Sequence, residues 1–161
     1  KRQMKKSPLD AEKALVRLEE LCARSEQCSW DLKEKLRRWK VEPPYEPIIE
    51  SLSERGFVND ERFARAYVRD KYRFDRWGRL KIAKGLIAKR IDRNTIDIAM
   101  REIIARDYAL NCFNLLKAKR KSLSPELSSY EMKQKMLRFA AARGYEPNLV
   151  IRLLDNEKIW D

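Results

Sequence analysis

Residues 82–91 read IAKGLIAKRI and place Ile82, Leu86 and Ile91 at the spacing of one helix face that ends in a turn. The same spacing recurs fifty residues earlier in LKEKLRRWKV, residues 32–41, and fifty-four residues later in MLRFAAARGY, residues 136–145. A helical pattern that returns at such a period is typical of tandem repeats of one structural unit. Because short helical patterns also align by chance, the flanking segments have to repeat as well.

The helix that precedes each copy recurs at a related distance. An alanine lies 18 residues before the first apolar position in copies one and two, at Ala14 and Ala64. In the third copy Ala109 lies 27 residues before that position. The extra length predicts an inserted loop near residues 122–129, where serines and a proline cluster.

These patterns predict an all-α protein, because no long stretch alternates apolar and polar residues as a strand would. We predict a basic N-terminal arm at 1–8 and three-helix repeats at 9–56, 57–105 and 106–161. A single unit of this size buries little apolar surface, so neighbouring repeats are expected to share surface. A monomer is therefore favoured, because the repeats can cover one another.

Several residues have the types that begin and end helices. Ser29 is predicted to cap the helix that contains Leu32, and Asn59 is predicted to cap the next long helix. Gly56 and Gly144 lie where a helix would end in a left-handed residue.

The composition excludes most catalytic sites. The 161 residues include no histidine, which excludes a Ser-His-Asp triad and every zinc site that uses histidine. Cys22, Cys28 and Cys112 lack metal-binding spacing and are expected to be buried, reduced thiols, with a metal site or a reactive thiol as the alternative. Asp60 and Glu61 are the only carboxylates that suggest the beginning of a metal site. Their place at the positive end of a helix dipole accounts for them without a metal. We expect no enzyme activity, no metal and no cofactor.

No run of 18 apolar residues is present, and no apolar region follows the basic residues 1–6. Neither a membrane span nor a secretion signal is therefore expected. The net charge of +12, from 37 Lys and Arg against 25 Asp and Glu, indicates a polyanionic partner, most often nucleic acid. An acidic protein or a membrane surface would also fit this charge.

Nine of the twelve excess charges lie in residues 62–90, where eleven basic residues stand against two acidic ones. The basic residues are Arg62, Arg65, Arg69, Lys71, Arg73, Arg76, Arg79, Lys81, Lys84, Lys89 and Arg90. Smaller basic clusters occupy residues 1–6 and 117–121, and both are weaker candidates for nucleic-acid contact.

Five arginines of this segment follow steps of three and four and would line one helix face if the helix continued. They are Arg62, Arg65, Arg69, Arg73 and Arg76. A face of unpaired arginines repels itself but is suited to neutralising phosphates. The alternative is a solvated face, which more often carries mixed charges. Trp77 is a candidate to stack on an unpaired base, although packing of a loop on the core is the commoner role.

Residues 56–68, GFVNDERFARAYV, resemble the central signature of the RecX family, regulators of the RecA recombinase. That signature runs roughly glycine, aromatic, aliphatic, two aspartates, any residue, then Arg-Phe-Ala and a further aromatic. Weaker similarities occur around Ser29, around Gly78 and at residues 143–145, and the whole match covers nearly all of residues 10–155. The central motif is fairly specific, whereas the outer repeats alone would be weak.

The chain departs from the family pattern at two positions. Asn59 replaces the first aspartate of the signature, a nearly neutral change because asparagine also caps helices. Arg90 replaces the usual glycine, and the similar position in the first repeat is Lys40. A left-handed residue other than glycine costs about 1 kcal/mol. Either the turn is altered at Arg90 or the arginine is kept for its charge.

The resemblance implies three tandem three-helix repeats that form an elongated, curved array. It implies binding to the RecA nucleoprotein filament and modulation, usually inhibition, of strand exchange and ATP hydrolysis. Binding in the helical groove of the filament would explain an elongated, basic shape, and capping of filament ends is the alternative. DNA recombination, DNA repair and the SOS response, in the cytoplasm, would be its setting. The eleven basic residues would then contact DNA or filament, with Trp77 as a possible stacking residue. The alternative is a general nucleic-acid-binding protein with no recombinase partner, and a magnesium-dependent nuclease is a distant third.

Overall fold

The computed structural model describes residues 8–161, and within them the chain forms nine α-helices and a 3-10 turn with no strand. Repeat 1 contains α1 (Ala11–Arg24), α2 (Ser29–Arg38) and α3 (Glu46–Glu54). Repeat 2 contains α4 (Asp60–Arg73), α5 (Arg79–Ala88) and α6 (Arg93–Met100). Repeat 3 contains α7 (Ala105–Ser122), α8 (Ser129–Ala142) and α9 (Pro147–Leu154), followed by the turn Glu157–Ile159. The all-α prediction is confirmed.

The helices pack chiefly within these sets of three. In repeats 2 and 3 each helix contacts both others, and in repeat 1 both α1 and α2 pack on α3. The residue boundaries 9–56, 57–105 and 106–161 stay predictions. Except for Pro8, the predicted basic arm at 1–8 lies outside the described residues.

The nine apolar positions of the repeated pattern are all buried at equivalent places in the second helix and the turn after it. They are Leu32, Leu36 and Val41 in repeat 1, Ile82, Leu86 and Ile91 in repeat 2, and Met136, Ala140 and Tyr145 in repeat 3. The pattern therefore marks the side of each unit that faces its core.

The same left-handed turn closes α2, α5 and α8. Its central residue is Lys40 (φ 56°), Arg90 (φ 59°) or Gly144 (φ 89°). The next N–H then donates to the carbonyl five residues back, as in Val41 to Leu36, Ile91 to Leu86 and Tyr145 to Ala140, at 3.0, 3.1 and 3.1 Å. This bond is the mark of a Schellman motif. The turn is thus retained at Arg90. The left-handed backbone costs about 1 kcal/mol at Arg90 and again at Lys40, because neither residue is glycine.

The two predicted helix caps have different outcomes. Asn59 caps α4 as expected, because its side-chain oxygen accepts from the N–H of Arg62 at 2.9 Å. The prediction for Ser29 is wrong, since Ser29 is the first residue of α2 and Cys28 precedes it without a side-chain cap. The N–H of Ser29 instead donates to the carboxylate of Asp60 at 2.8 Å. A carboxylate from repeat 2 therefore takes the place of the hydroxyl, and it binds an N–H more strongly because it is charged.

The additional length of repeat 3 lies mainly in its helices. Helix α7 has 18 residues where α1 and α4 have 14, and α8 has 14 where α2 and α5 have 10. Helix α8 begins with a capping box formed by Ser128 and Glu131. Because α7 continues to Ser122 and α8 begins at Ser129, only residues 123–128 lie between them. The inserted loop that was expected near residues 122–129 is therefore short.

Repeats 2 and 3 share one hydrophobic core, whereas repeat 1 has a core of its own. Cys28, at the start of α2, is the buried residue of repeat 1 that packs into the shared core. The backbones of repeats 2 and 3 also meet directly. The N–H of Gly78 donates to the carbonyl of Arg143 at 2.7 Å, and that of Leu80 donates to the carbonyl of Gly144 at 3.0 Å.

We predict that Gly78→Ala destabilises the protein by about 1–3 kcal/mol, the usual cost of overpacking. Gly78 has an ordinary backbone (φ −80°), but a Cβ there would overlap the backbone of Gly144 and Tyr145. Ser53→Ala is the control, because Ser53 is exposed on α3 and alanine favours the helix, so this change is expected to alter stability by no more than about 0.5 kcal/mol. Urea unfolding measures both changes. Equal stability of Gly78→Ala and the unmodified protein would contradict the close contact.

Candidate nucleic-acid interface

The basic segment 62–90 follows α4, crosses the turn 74–78 and continues along α5. Four of the five arginines predicted to share a helix face lie on α4. The prediction is wrong for Arg76, which lies beyond the end of α4 in a left-handed conformation (φ 54°). Hydrogen bonds hold this turn in place. Among them, the Trp77 N–H donates to the carbonyl of Lys71 at 2.9 Å, and the Tyr145 hydroxyl donates to the carbonyl of Arg76 at 2.7 Å.

The expectation of unpaired arginines on α4 is wrong for the first three. Arg62 pairs with Glu26 at 2.6 Å, Arg65 pairs with Glu61 at 2.8 Å and with Glu102 at 3.4 Å, and Arg69 pairs with Glu102 at 3.5 Å. Glu26 and Glu102 are distant in sequence, so the helical spacing of α4 gave no sign of them. The pairs are partly exposed, and each contributes about 0–1 kcal/mol. Much of this face is thus electrically compensated.

Three further cations of the segment are paired, and two of them join repeats. Lys71 pairs with Asp75 at 2.9 Å within repeat 2. Arg79 pairs with Glu146 of repeat 3 at 3.0 Å, and Lys89 pairs with Asp31 of repeat 1 at 2.7 Å. Burial opposes the charge of Lys89, but the hydrogen bond and the charge of Asp31 outweigh it and raise the pKa of Lys89. Arg79 and Lys89 therefore have structural partners.

The remaining five cations have no carboxylate within 4.0 Å among residues 8–161. They are Arg73, Arg76, Lys81, Lys84 and Arg90. Lys81 is half-buried and the other four are exposed. They lie at the end of α4, in the turn after it, on α5 and in the turn after α5. We call these residues the uncompensated set. Such cations are available to bind phosphate oxygens without first losing an internal partner.

Trp77 is half-buried and packs against the shared core of repeats 2 and 3. The ammonium groups of Lys71 and Lys81 lie 4.6 and 4.3 Å from the centre of its ring, within the range of cation–π attraction. Base stacking by Trp77 stays a prediction. Phe74 is 78 % exposed in the same turn, and sequence reasoning missed it. Its place just beyond the end of α4 was the one available signal.

Sequence reasoning also missed a second basic region at the end of α2. Residues 33–40 contain five basic residues and one acidic residue, a signal that was available but smaller than that of the segment 62–90. The structure brings this region to the segment 62–90, because the guanidinium carbons of Arg37 and Arg90 lie 5.5 and 5.0 Å from the centre of the same Trp30 ring.

The residues considered for chemistry have structural partners. Asp60 accepts the N–H of Ser29, and Glu61 pairs with Arg65. Burial raises the pKa of the free thiols of Cys28 and Cys112 to about 12, while Cys22 is half-buried. No three His, Cys, Asp or Glu side chains within residues 8–161 are grouped so that they could hold a metal ion.

None of the helices in the described part of the chain is both long and apolar enough to cross a membrane.

Comparisons with known proteins agree with this architecture. Residues 59–100 match the family model of the second three-helix domain of RecX. Two crystal structures share the fold. A regulatory protein RecX has a TM-score of 0.81 at 20 % identity over 90 % of this chain and 71 % of the other. RecX from Lactobacillus salivarius has a TM-score of 0.79 at 18 % identity over 92 % and 95 % of the two chains.

Sequence relatives extend the similarity beyond the fold. Regulatory protein RecX of Clostridium perfringens strain SM101 is 32 % identical over 68 % of this chain and 53 % of its own length, so the match spans about half of that relative. Regulatory protein RecX of Pelodictyon phaeoclathratiforme is 31 % identical over 71 % of this chain and 72 % of its own. Because this identity extends over more than two thirds of a relative, the chain belongs to the RecX family of regulatory proteins.

Proposed function

We propose that this chain is a non-enzymatic regulator that binds the RecA nucleoprotein filament and inhibits strand exchange and ATP hydrolysis. It would act as a monomer in the cytoplasm, in DNA recombination and repair and in the SOS response. Membership of the RecX family supports a regulatory role. The uncompensated set in repeat 2 is the observation that carries the DNA-binding part of the proposal.

The reason is electrostatic. Each phosphate that an unpartnered cation neutralises releases counterions that had condensed on the nucleic acid, and this release contributes favourable free energy to binding. Arg62, Arg65 and Arg69 would have to give up a carboxylate partner in order to bind a phosphate, so each of them gains less binding free energy than an unpartnered cation. The eleven basic residues predicted to contact DNA or filament therefore divide into a stronger group, the uncompensated set, and a weaker, paired group.

A general nucleic-acid-binding protein is the second candidate, because the same cations would serve it. The uneven charge favours the filament instead. Residues 147–161 contain two basic and three acidic residues, so the end of repeat 3 is not suited to phosphates. That surface is available to a protein partner, whereas a binder of bare nucleic acid would gain from basic residues along its whole length.

Neutralising three residues of the uncompensated set is expected to weaken DNA and filament binding at least tenfold. The variant is Arg73→Gln, Lys81→Gln and Lys84→Gln together, measured by fluorescence anisotropy with labelled single strands and preformed filaments. Its matched control is Arg62→Gln, Arg65→Gln and Arg69→Gln, which removes the same charge from paired positions and is expected to have a much smaller effect. Equal losses of affinity in the two triple variants would contradict the division of the basic residues into a stronger, uncompensated group and a weaker, paired group.

Salt dependence separates the two candidate functions. Binding to a bare strand by phosphate contacts alone is expected to fall with salt at a slope of about 0.7 per neutralised phosphate. Contacts with the RecA protein are directional and partly apolar, so salt screens them less. We expect tighter binding to the filament than to the bare strand and a shallower slope with the filament. Equal affinities with parallel slopes would support the general binder.

A further inference from the structure

We propose that the ends of the second helices of repeats 1 and 2 form a further binding surface for the phosphate backbone of single-stranded DNA. The surface consists of Arg37, Lys40 and Arg90, and we call it the junction surface. It rests on the proposed function, since it extends the uncompensated set from repeat 2 onto repeat 1. Arg37 and Lys40 were not among the residues that the sequence predicted to bind.

Trp30 brings cations of two repeats together. The guanidinium carbons of Arg37 and Arg90 lie 5.5 and 5.0 Å from the centre of its ring. Each guanidinium group therefore lies beside the same ring, although one belongs to α2 and the other to the turn after α5. The ion pair between Lys89 and Asp31, at 2.7 Å, fixes these two elements beside Trp30. Cations held in this way lose little side-chain entropy when a ligand binds.

The charge of the junction surface is largely uncompensated. Within residues 8–161, neither Lys40 nor Arg90 has a carboxylate within 4.0 Å, and both are exposed. Arg37 is also exposed and pairs with Glu34 on its own helix.

Backbone strain singles out two of these residues. Lys40, Arg90 and Gly144 occupy the same place in three equivalent turns. Gly144 has to be glycine, because a Cβ there would overlap the backbone of Lys81. Lys40 and Arg90 are exposed, so glycine would form those turns without strain, yet both positions hold a cation in the left-handed conformation. Strain of this kind collects at functional sites.

Attraction between a cation and the carboxyl end of a helix does not explain Lys40. The last turn of α2 already contains Lys35, Arg37 and Arg38, which provide that interaction from unstrained positions. A side chain kept at Lys40 despite its strain therefore has another use.

The arrangement favours a nucleic-acid backbone over an acidic protein. Cations at equivalent places in consecutive repeats form a series, and the phosphates of a strand form a regular series as well. Two guanidinium groups beside one ring also suit phosphate oxygens, which arginine binds through paired hydrogen bonds.

The test is the double variant Lys40→Gly and Arg90→Gly, which removes both cations while keeping the left-handed turns. Its melting temperature is expected to remain unchanged or to rise, because glycine relieves the strain. Affinity for a labelled single strand is expected to fall at least tenfold, and the salt slope to become shallower by about 1.4, two phosphate contacts at 0.7 each. Lys40→Arg alone keeps both charges and both guanidinium groups beside Trp30, and it is expected to retain binding.

The matched control is Lys135→Gln with Lys158→Gln, which removes the same charge from exposed positions in repeat 3 and is expected to change affinity less than twofold. Unchanged affinity and slope in the glycine variant would overturn the proposal, as would a lower melting temperature without loss of binding. Loss of filament binding with normal binding to the bare strand would also overturn it, because the surface would then contact protein. If the unmodified protein binds bare DNA more tightly than the filament, the proposed function fails. The proposal for the junction surface is then still tested by the affinity of the glycine variant for the bare single strand.

Discussion

The left-handed turn after the second helix of each repeat is the constraint on which the fold depends. It ends α2, α5 and α8 with the same hydrogen bond before the chain continues to the third helix. The buried residues on either side of that bond, such as Leu86 and Ile91, are part of the pattern that recurs along the chain. This local device, at the end of the second helix of each repeat, thus helps to produce three similar units from sequences that share few identical residues.

The two boundaries between repeats are built differently. Repeats 2 and 3 share a core and touch through the backbones of Gly78 and Gly144, so their relative position is set by close packing. Repeat 1 joins repeat 2 through Cys28 and Trp30, which pack on the shared core, and through polar contacts, among them Ser29 to Asp60 and Lys89 to Asp31. Partly exposed ion pairs contribute little free energy and weaken with salt. Basic residues of both repeats lie beside this polar boundary.

The sequence predicted the fold well because its signals are local. Helical spacing, the cap at Asn59 and the left-handed helix ends at Gly56 and Gly144 each depend on residues a few positions apart, and each was confirmed. The electrostatics of the site was predicted less well, since Arg62 and Arg69 meet carboxylates from distant segments. The error at Ser29 has the same origin, because its partner Asp60 comes from the next repeat. Charge density along a sequence locates a basic segment, but only folding shows which cations are compensated.

Capture of RecA on immobilised protein tests the central claim most directly. The capture would be carried out with RecA alone, with DNA alone, and with both in the presence of a non-hydrolysable ATP analogue that maintains the filament. The account predicts that the assembled filament is retained more strongly than DNA alone. It also predicts that RecA is no longer retained when the analogue is omitted. Equal retention of DNA with and without RecA, or no retention of RecA under any condition, would contradict it.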